Sequence, residues 1–308
     1  MGVSFADYLC AKYPLDERSL NRPVYRQLTA TLAGRQSLRC LDVGTGNGAM
    51  LKRLLECLDV PQLALTGLDQ QAGLLNDAAS ALEQALQQQG YAVAPTPQGL
   101  TGRRGDKCVE VELVNAVLTD FSALPGSFDL ITAHAFMDIV PLQPSLRRFA
   151  DWLAPGGLFY ATLNYDGDTA LFPLYRDAVF EQWLLACYDE SMEQRRVDGL
   201  ATGGRRCGRR LHAELLAMGF TVPAYGSSDW HITPVNGAYQ DADDVCLRAL
   251  LDFMRAEAEA ARFDAAALRQ WHAVRLQQIE TAQLGMIIHQ LDLLAAKSGA
   301  QSTGFHIP

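Results

Sequence analysis

Between Ser37 and Tyr165 the apolar positions follow two alternating rhythms. The runs "SLRCLDVG", "LALTGLD" (Leu63 to Asp69), "FDLITAHA" and "LFYATLNY" are short, apolar on both faces and bounded by turn residues, which predicts buried strands. "VELVNAVLTD" is a further strand of the same kind. Between these runs, "AMLKRLLECL", "LLNDAASALEQALQQQG" and "PSLRRFADWLAPGG" space their apolar residues three and four apart, as helices do. The second helix stops at Gly90 and the third at Pro-Gly-Gly. Strands and helices alternating at this spacing predict an α/β fold, a parallel sheet covered by helices on both faces.

The flanks are less regular. The first 38 residues predict one or two helices, with Pro14 and Pro23 as punctuation and an amphipathic stretch from Val24 to Leu32; residues 1–35 form an N-terminal cap. Residues 91–108, with three Gly, two Pro and two Arg, predict a loop or a hairpin inserted at the sheet edge. Beyond the core of residues 36–166, "LFPLYRDAVFEQWLLACYDESM" reads as helix and "RVDGLATGGRRCG" as a Gly/Arg-rich loop. "RRLHAELLAMGF" is a helix ending at Gly219, and "TVPAYGSSDWHITP" is strand-like, so 167–235 carries a lid or substrate region and a sixth strand. Within 236–308, residues 241–283 predict two surface helices, while "LGMIIHQLDLLAA" fits a helix or a last strand equally well by periodicity. All four segments are expected to form one structural domain.

Composition narrows the function classes. With 308 residues, 49% of them apolar, the chain can bury a full core. No apolar run approaches the roughly 18 to 20 residues that span a bilayer, and the N-terminus has no secretory pattern, so a cytoplasmic protein without a membrane role is expected. "MGVSFA" lacks the Ser or Thr of an acylation start. Seven scattered cysteines without a C-x-x-C pair indicate neither a disulfide framework nor a metal site. A net charge of -9 argues against nucleic acid as the main partner. Against that acidic background Arg195, Arg196, Arg205, Arg206, Arg209 and Arg210 cluster, and guanidinium forks suit a carboxylate or phosphate, so an anion-recognising lid is expected there.

The chemistry begins at "CLDVGTGNGAM". As G-x-G-x-x-A (Gly44, Gly46, Ala49) it is a dinucleotide fingerprint; as D-x-G-x-G-x-G (Asp42, Gly44, Gly46, Gly48) it is a loop that places a carboxylate beside the ligand. A pyrophosphate wants free N–H groups without competing negative charge. Asp42 therefore suits a ligand with a positive group, such as an amino-acid ammonium. Asp69, 25 residues after Gly44 at the end of the second strand, can accept hydrogen bonds from both hydroxyls of a ribose.

"NAVLTDFSALPGSFDLITAHAFMDIV" and "LRRFADWLAPGGLFYATLNYDG" resemble the third-to-fifth-strand region of class I S-adenosylmethionine-dependent methyltransferases of the small-molecule type. The likeness covers roughly residues 36–166, with weaker echoes in "LDERSLNRPVYRQL" and "RRLHAELLAMGFTV". It implies a Rossmann-like, mostly parallel seven-stranded sheet whose last strand is antiparallel, with an N-terminal helical cap and C-terminal helical additions, which favours a strand for "LGMIIHQLDLLAA". It also implies S-adenosylmethionine as cofactor. Asp42, Gly44, Thr45, Gly46 and Gly48 would hold its methionine part, and Asp69 the ribose, with Gln70 against the adenosine. Asp120 would accept from the adenine amino group, Phe121 would flank the base, and His134 would lie under the methionine near the sulfonium. Where many members carry a further histidine this chain has Met137 and Asp138.

The resulting expectation is methyl transfer to N, O or S of a small metabolite, an anionic one included, with His134, Asp138 and Tyr165 as base candidates. Tyr165, Arg205, Arg209 and Trp230 are the candidate acceptor contacts. A homodimer is left open. The rivals are an NAD(P)-dependent oxidoreductase, weakened by the missing Y-x-x-x-K pair, and a catalytically silent member serving as a binding or dimerisation surface.

Overall fold

Cys40 and Leu41 are neighbours in the first strand, yet each is fully buried in a different apolar cluster. A strand alternates its side chains, so a sheet buried on both sides needs such consecutive apolar residues. The computed structural model describes residues 3–298. In chain order its elements are α1 (Phe5–Ser19), α2 (Arg22–Leu32), β1 (Ser37–Val43), α3 (Ala49–Cys57), β2 (Gln62–Asp69) and α4 (Ala72–Gln88). There follow β3 (Ala92–Thr96), β4 (Gly99–Arg104), β5 (Lys107–Asn115), β6 (Phe128–His134), α5 (Leu142–Trp152) and β7 (Leu153–Phe172). The chain continues with α6 (Ala178–Gln194), β8 (Arg196–Val197), β9 (Leu200–Ala201), α7 (Cys207–Ala217), β10 (Thr221–Ser227), β11 (Trp230–Ile232), α8 (Asp243–Ala260), α9 (Ala265–Glu280) and β12 (Gly285–Ala296).

One sheet runs in the order β10, β12, β7, β6, β1, β2, β5, β4, β3, with β11 beside β12. The strands β7, β6, β1, β2 and β5 are mutually parallel, whereas β12 is antiparallel to both β7 and β10. This is the expected α/β Rossmann-like arrangement, and "LGMIIHQLDLLAA" is its antiparallel last strand. One face is covered by α2, α3 and α4 around Leu28, Leu51 and Leu82, the other by α5 and α7 around Phe149, Leu211 and Leu215. Residues 91–108 form the edge hairpin β3–β4, antiparallel to β5.

Three segments depart from the expectation. Strand β5 begins at Lys107 and ends at Asn115, five residues short of Asp120, because after Asn115 the chain turns instead of pairing further with β2. Strand β7 does not stop at Tyr165: paired with β12 it runs on to Phe172, and helix α6 starts only at Ala178. The expected surface helices, α8 and α9, are half-buried. Leu247, Leu251, Met254 and Trp271 join Leu15 of α1, Leu184 of α6 and Met286 of β12 in a third apolar core. Their many Ala and charged residues hid that stripe. At its centre the fully buried Arg275 donates to Glu181, which also accepts from Trp271 Nε1 at 2.7 Å. No helix among the described residues is long and apolar enough to cross a membrane. Met1, Gly2 and residues 299–308, including the "MGVSFA" start and the end of the last segment, lie outside the described residues.

Candidate functional site

At the carboxyl ends of β1, β2, β5 and β6, where ligands bind in open α/β sheets, lies a cavity of about 320 Å3. The loop after β1 forms its floor. Gly44 adopts φ +68°, and a Cβ there would stand 2.1 Å from the Phe136 ring, so only glycine fits under that ring. The turn is tied down by Thr45 N–H donating to Leu68 O (3.0 Å) and Gly48 N–H to Thr45 O (2.9 Å). Gly48, at φ +83°, starts α3 without a side-chain cap, leaving the first N–H groups of that helix uncommitted by any cap. Gly48 itself is outside the cavity wall, against Ala78.

Asp42, one residue before the end of β1, is buried at 1% exposure. Its Oδ1 accepts from Thr132 Oγ1 at 2.7 Å, while Oδ2 is buried with no partner among the described residues. Burial pushes this carboxyl up to about 6, with the Thr132 and Thr45 hydroxyls beside it pulling the other way. Asp69, at the end of β2, accepts Gly46 N–H on Oδ2 (2.9 Å) and Gln71 N–H on Oδ1 (2.8 Å). The two amides fix the carboxylate and leave each oxygen a further acceptor direction. Thr45, Gly46 and Gln70 complete this side of the wall.

His134, the last residue of β6, also faces the cavity. Its Nδ1 lies 2.7 Å from Thr162 Oγ1 and its Nε2 3.1 Å from Asp16 Oδ2. Burial pulls its pKa down to about 4, against the opposing Asp16, so the ring is neutral near pH 7. Both nitrogens are engaged, and neither is free to take a proton from a ligand.

Helix α1 closes the cavity from above. Ser4 caps its N-terminus by accepting Asp7 N–H, and Pro14 sits inside it without breaking it. Phe5, Leu9, Lys12 and Asp16 recur at three- and four-residue spacing and line the cavity. Lys12 Nζ donates to Asp16 Oδ2. The sequence reading missed this pair; a Lys and an Asp four apart on an otherwise apolar helix face was the signal.

Other expected site residues lie elsewhere. Asp120 and Phe121 are outside the cavity, because residues 117–121 wind into a turn in which the N–H groups of Asp120 and Phe121 donate to Val117 O (3.0 and 3.2 Å). Asp120 is exposed and Phe121 packs edge-on against Trp152; Ala116 to Thr119 line the wall instead. Asp138 sits in the 3-10 turn Met137–Ile139, and burial raises its pKa, but Ile139 and Val140 face the cavity in its place. Tyr165 is carried beyond the cavity by the long β7, and its hydroxyl donates to Asp189. Trp230 is buried in the third core.

None of the six clustered arginines, expected as an anion-recognising lid, lines this cavity. Arg209 binds the buried Asp166 through Nε (2.7 Å) and backbone N–H (2.9 Å), and Arg210 binds Glu193. Arg205 lines a separate small pocket with Asp166, Asp168 and Asp189. The tiny hairpin β8–β9 does reach the cavity, but it brings Val197, Asp198 and Leu200. Local acids hold Arg209 and Arg210. Among the described residues no group of His, Cys, Asp and Glu is placed to hold a metal ion.

Residues 41–159 match the family model described as a methyltransferase domain. No curated protein sequence matches the chain. Among solved structures, a candidate methyltransferase of Bacillus halodurans is 14% identical, covering 89% of this chain and 98% of its own, with a TM-score of 0.51. A candidate sarcosine dimethylglycine methyltransferase of Galdieria sulphuraria is 15% identical over 92% of this chain and 85% of its own (TM-score 0.45). A SAM-dependent methyltransferase of Methanosarcina mazei is 13% identical over 88% and 97% (TM-score 0.44). At such identities it is the likeness to the first that speaks, and it speaks to fold.

Proposed function

We propose that this chain, a class I Rossmann-like methyltransferase that uses S-adenosylmethionine, methylates a small molecule, with Asp42 as the anchor of the cofactor. The observation that carries the site assignment is the unpartnered, buried Asp42 Oδ2 in the cavity wall beside the glycine turn. A buried carboxylate oxygen without a donor is costly, and an ammonium supplies both the charge and the hydrogen bond that it lacks. A pyrophosphate would do the opposite. The residues present therefore fit S-adenosylmethionine: Asp42 for its ammonium, the Gly44–Gly46 backbone for close approach, and Asp69 for the ribose.

When bound, the cofactor supplies an electrophilic methyl on a sulfonium. The protein orients, excludes water and places charge. Phe136 over Gly44, together with Ile139, Val140 and Leu200, gives the reaction space an apolar wall. Neither His134, Asp138 nor Tyr165 offers a free basic atom there, so the acceptor reacts on its own lone pair. Calorimetric titration with S-adenosylhomocysteine tests the reading: binding by the wild-type protein and its loss in Asp42→Ala are expected, and unchanged affinity in the variant would refute the anchor.

A further inference from the structure

We infer that the methyl acceptor is an amine with an apolar body, held by Asp16 of helix α1. The inference rests on the methyl-transfer reading above and adds the acceptor class to it.

Two donors converge on one oxygen of Asp16: Lys12 Nζ and His134 Nε2 both reach Oδ2. The other oxygen, Oδ1, is buried and has no partner among the described residues. Asp16 is 1% exposed and forms part of the cavity wall. The cluster thus fixes the carboxylate in one orientation and leaves its second oxygen wanting a donor. Burial opposes its charge, but Lys12 and His134 outweigh that and hold the carboxyl below its ordinary range, so Asp16 is ionised and a poor base. Its fitting partner is an N–H group.

Charge points the same way. The cavity wall contains Asp16, Asp42, Asp69 and Asp198 against Lys12 and Arg148, and Lys12 is already paired. Of the six clustered arginines, Arg209 and Arg210 are bound to Asp166 and Glu193, and none of the six lines the cavity. An anionic acceptor would enter a field of its own sign. The remaining wall, Phe5, Leu9, Ile139 and Leu200, receives an apolar skeleton.

The amine binds as its ammonium and releases one proton to water before the transfer; the neutral amine then donates one N–H to Asp16 Oδ1 and keeps its lone pair free. That pair forms the new nitrogen–carbon bond as the carbon–sulfur bond breaks and its electrons stay on sulfur. The positive charge moves from sulfur to nitrogen, and the fixed Asp16 carboxylate stabilises it as it develops. The extra proton leaves with the methylated ammonium, so no side chain has to accept it.

The test titrates protein saturated with S-adenosylhomocysteine with hexylamine and phenethylamine, and with hexanoate and hydrocinnamate as carboxylates of similar shape. The amines should bind at least about tenfold more tightly than the carboxylates, and Asp16→Asn should weaken the amines by about tenfold or more, the loss expected for one charge-assisted hydrogen bond. The variant's affinity for S-adenosylhomocysteine should stay within about threefold of wild type, since Asp42 and Asp69 are untouched. Equal or tighter binding of the carboxylates, no binding of either amine, or unchanged amine affinity in Asp16→Asn would overturn the inference. The amine-to-carboxylate comparison needs only wild-type protein and stands if the variant fails to fold. Failure of wild-type protein to bind S-adenosylhomocysteine would instead strike the underlying methyltransferase site.

Discussion

The cavity has two halves built by different means. The strand-end half is made of turns within a few residues of Asp42 and Asp69, where backbone N–H groups and short carboxylates do the work. The helix half is made by α1 and the β8–β9 hairpin, whose side chains reach the cavity across large sequence separations; Asp16 and His134 are 118 residues apart. The first half recognises through local backbone geometry and tolerates little change. The second offers packing and paired charge, and on the proposed reading it is the half that meets the acceptor.

Substitutions can break that division, and the largest effect lies outside the cavity. Glu181→Ala leaves the buried Arg275 guanidinium without its carboxylate and should cost about 3–5 kcal/mol of stability, read by chemical denaturation. A loss of cofactor affinity in a still-folded Glu181→Ala protein would show that the halves are not separable. Asp42→Ala removes the proposed cofactor anchor and should weaken S-adenosylhomocysteine by about 3 kcal/mol, over a hundredfold, in calorimetry. Gly44→Ala places a methyl against the Phe136 ring at a positive φ and should cost about 1–3 kcal/mol in melting experiments, with Phe136→Ala relieving the overlap but not the strained φ.

The pH dependence is smaller still. Asp42 has a raised pKa of about 6, so in the free protein it gains a proton as pH falls through 6 and loses the charge that holds an ammonium. Affinity for S-adenosylhomocysteine should be full above that point and fall about tenfold per pH unit below it; Asp42→Asn should flatten the profile. Arg205→Ala, outside the main cavity, should change neither cofactor nor acceptor binding, and a marked loss would restore the arginine lid.

The same contrast explains what could be read from the chain. The two faces of the sheet were visible because consecutive apolar residues such as Cys40 and Leu41 have few other uses, and the glycine turn because Asp42 stands immediately before it. The strand expected to end at Asp120 stops at Asn115, a shift of five residues that periodicity does not resolve. The strand end expected at Tyr165 moved because nothing in "NYDGD" announces that β7 runs on alongside β12. The arginines misled because their partners, Asp166 and Glu193, are 43 and 17 residues away from Arg209 and Arg210. Lys12 and Asp16 went unseen because an ion pair on a helix usually faces water, and only the fold turns this one inward.

The β7–β12 ribbon ties these observations together. The 12 residues of β12 span roughly 40 Å at about 3.3 Å per residue, and β7 follows them from Leu158 and Phe159 between the sheet cores to Leu171 among the helices, taking up its extra residues in bulges near Leu163 and Gly167. One hydrogen-bonded beam therefore belongs to both halves of the molecule, and fraying it at either end exposes apolar surface in the other's neighbourhood. Such a chain is expected to melt as a single cooperative unit, with the slowest-exchanging amides along the ribbon itself. The helices beside the proposed acceptor site then belong to that same unit and are no detachable module.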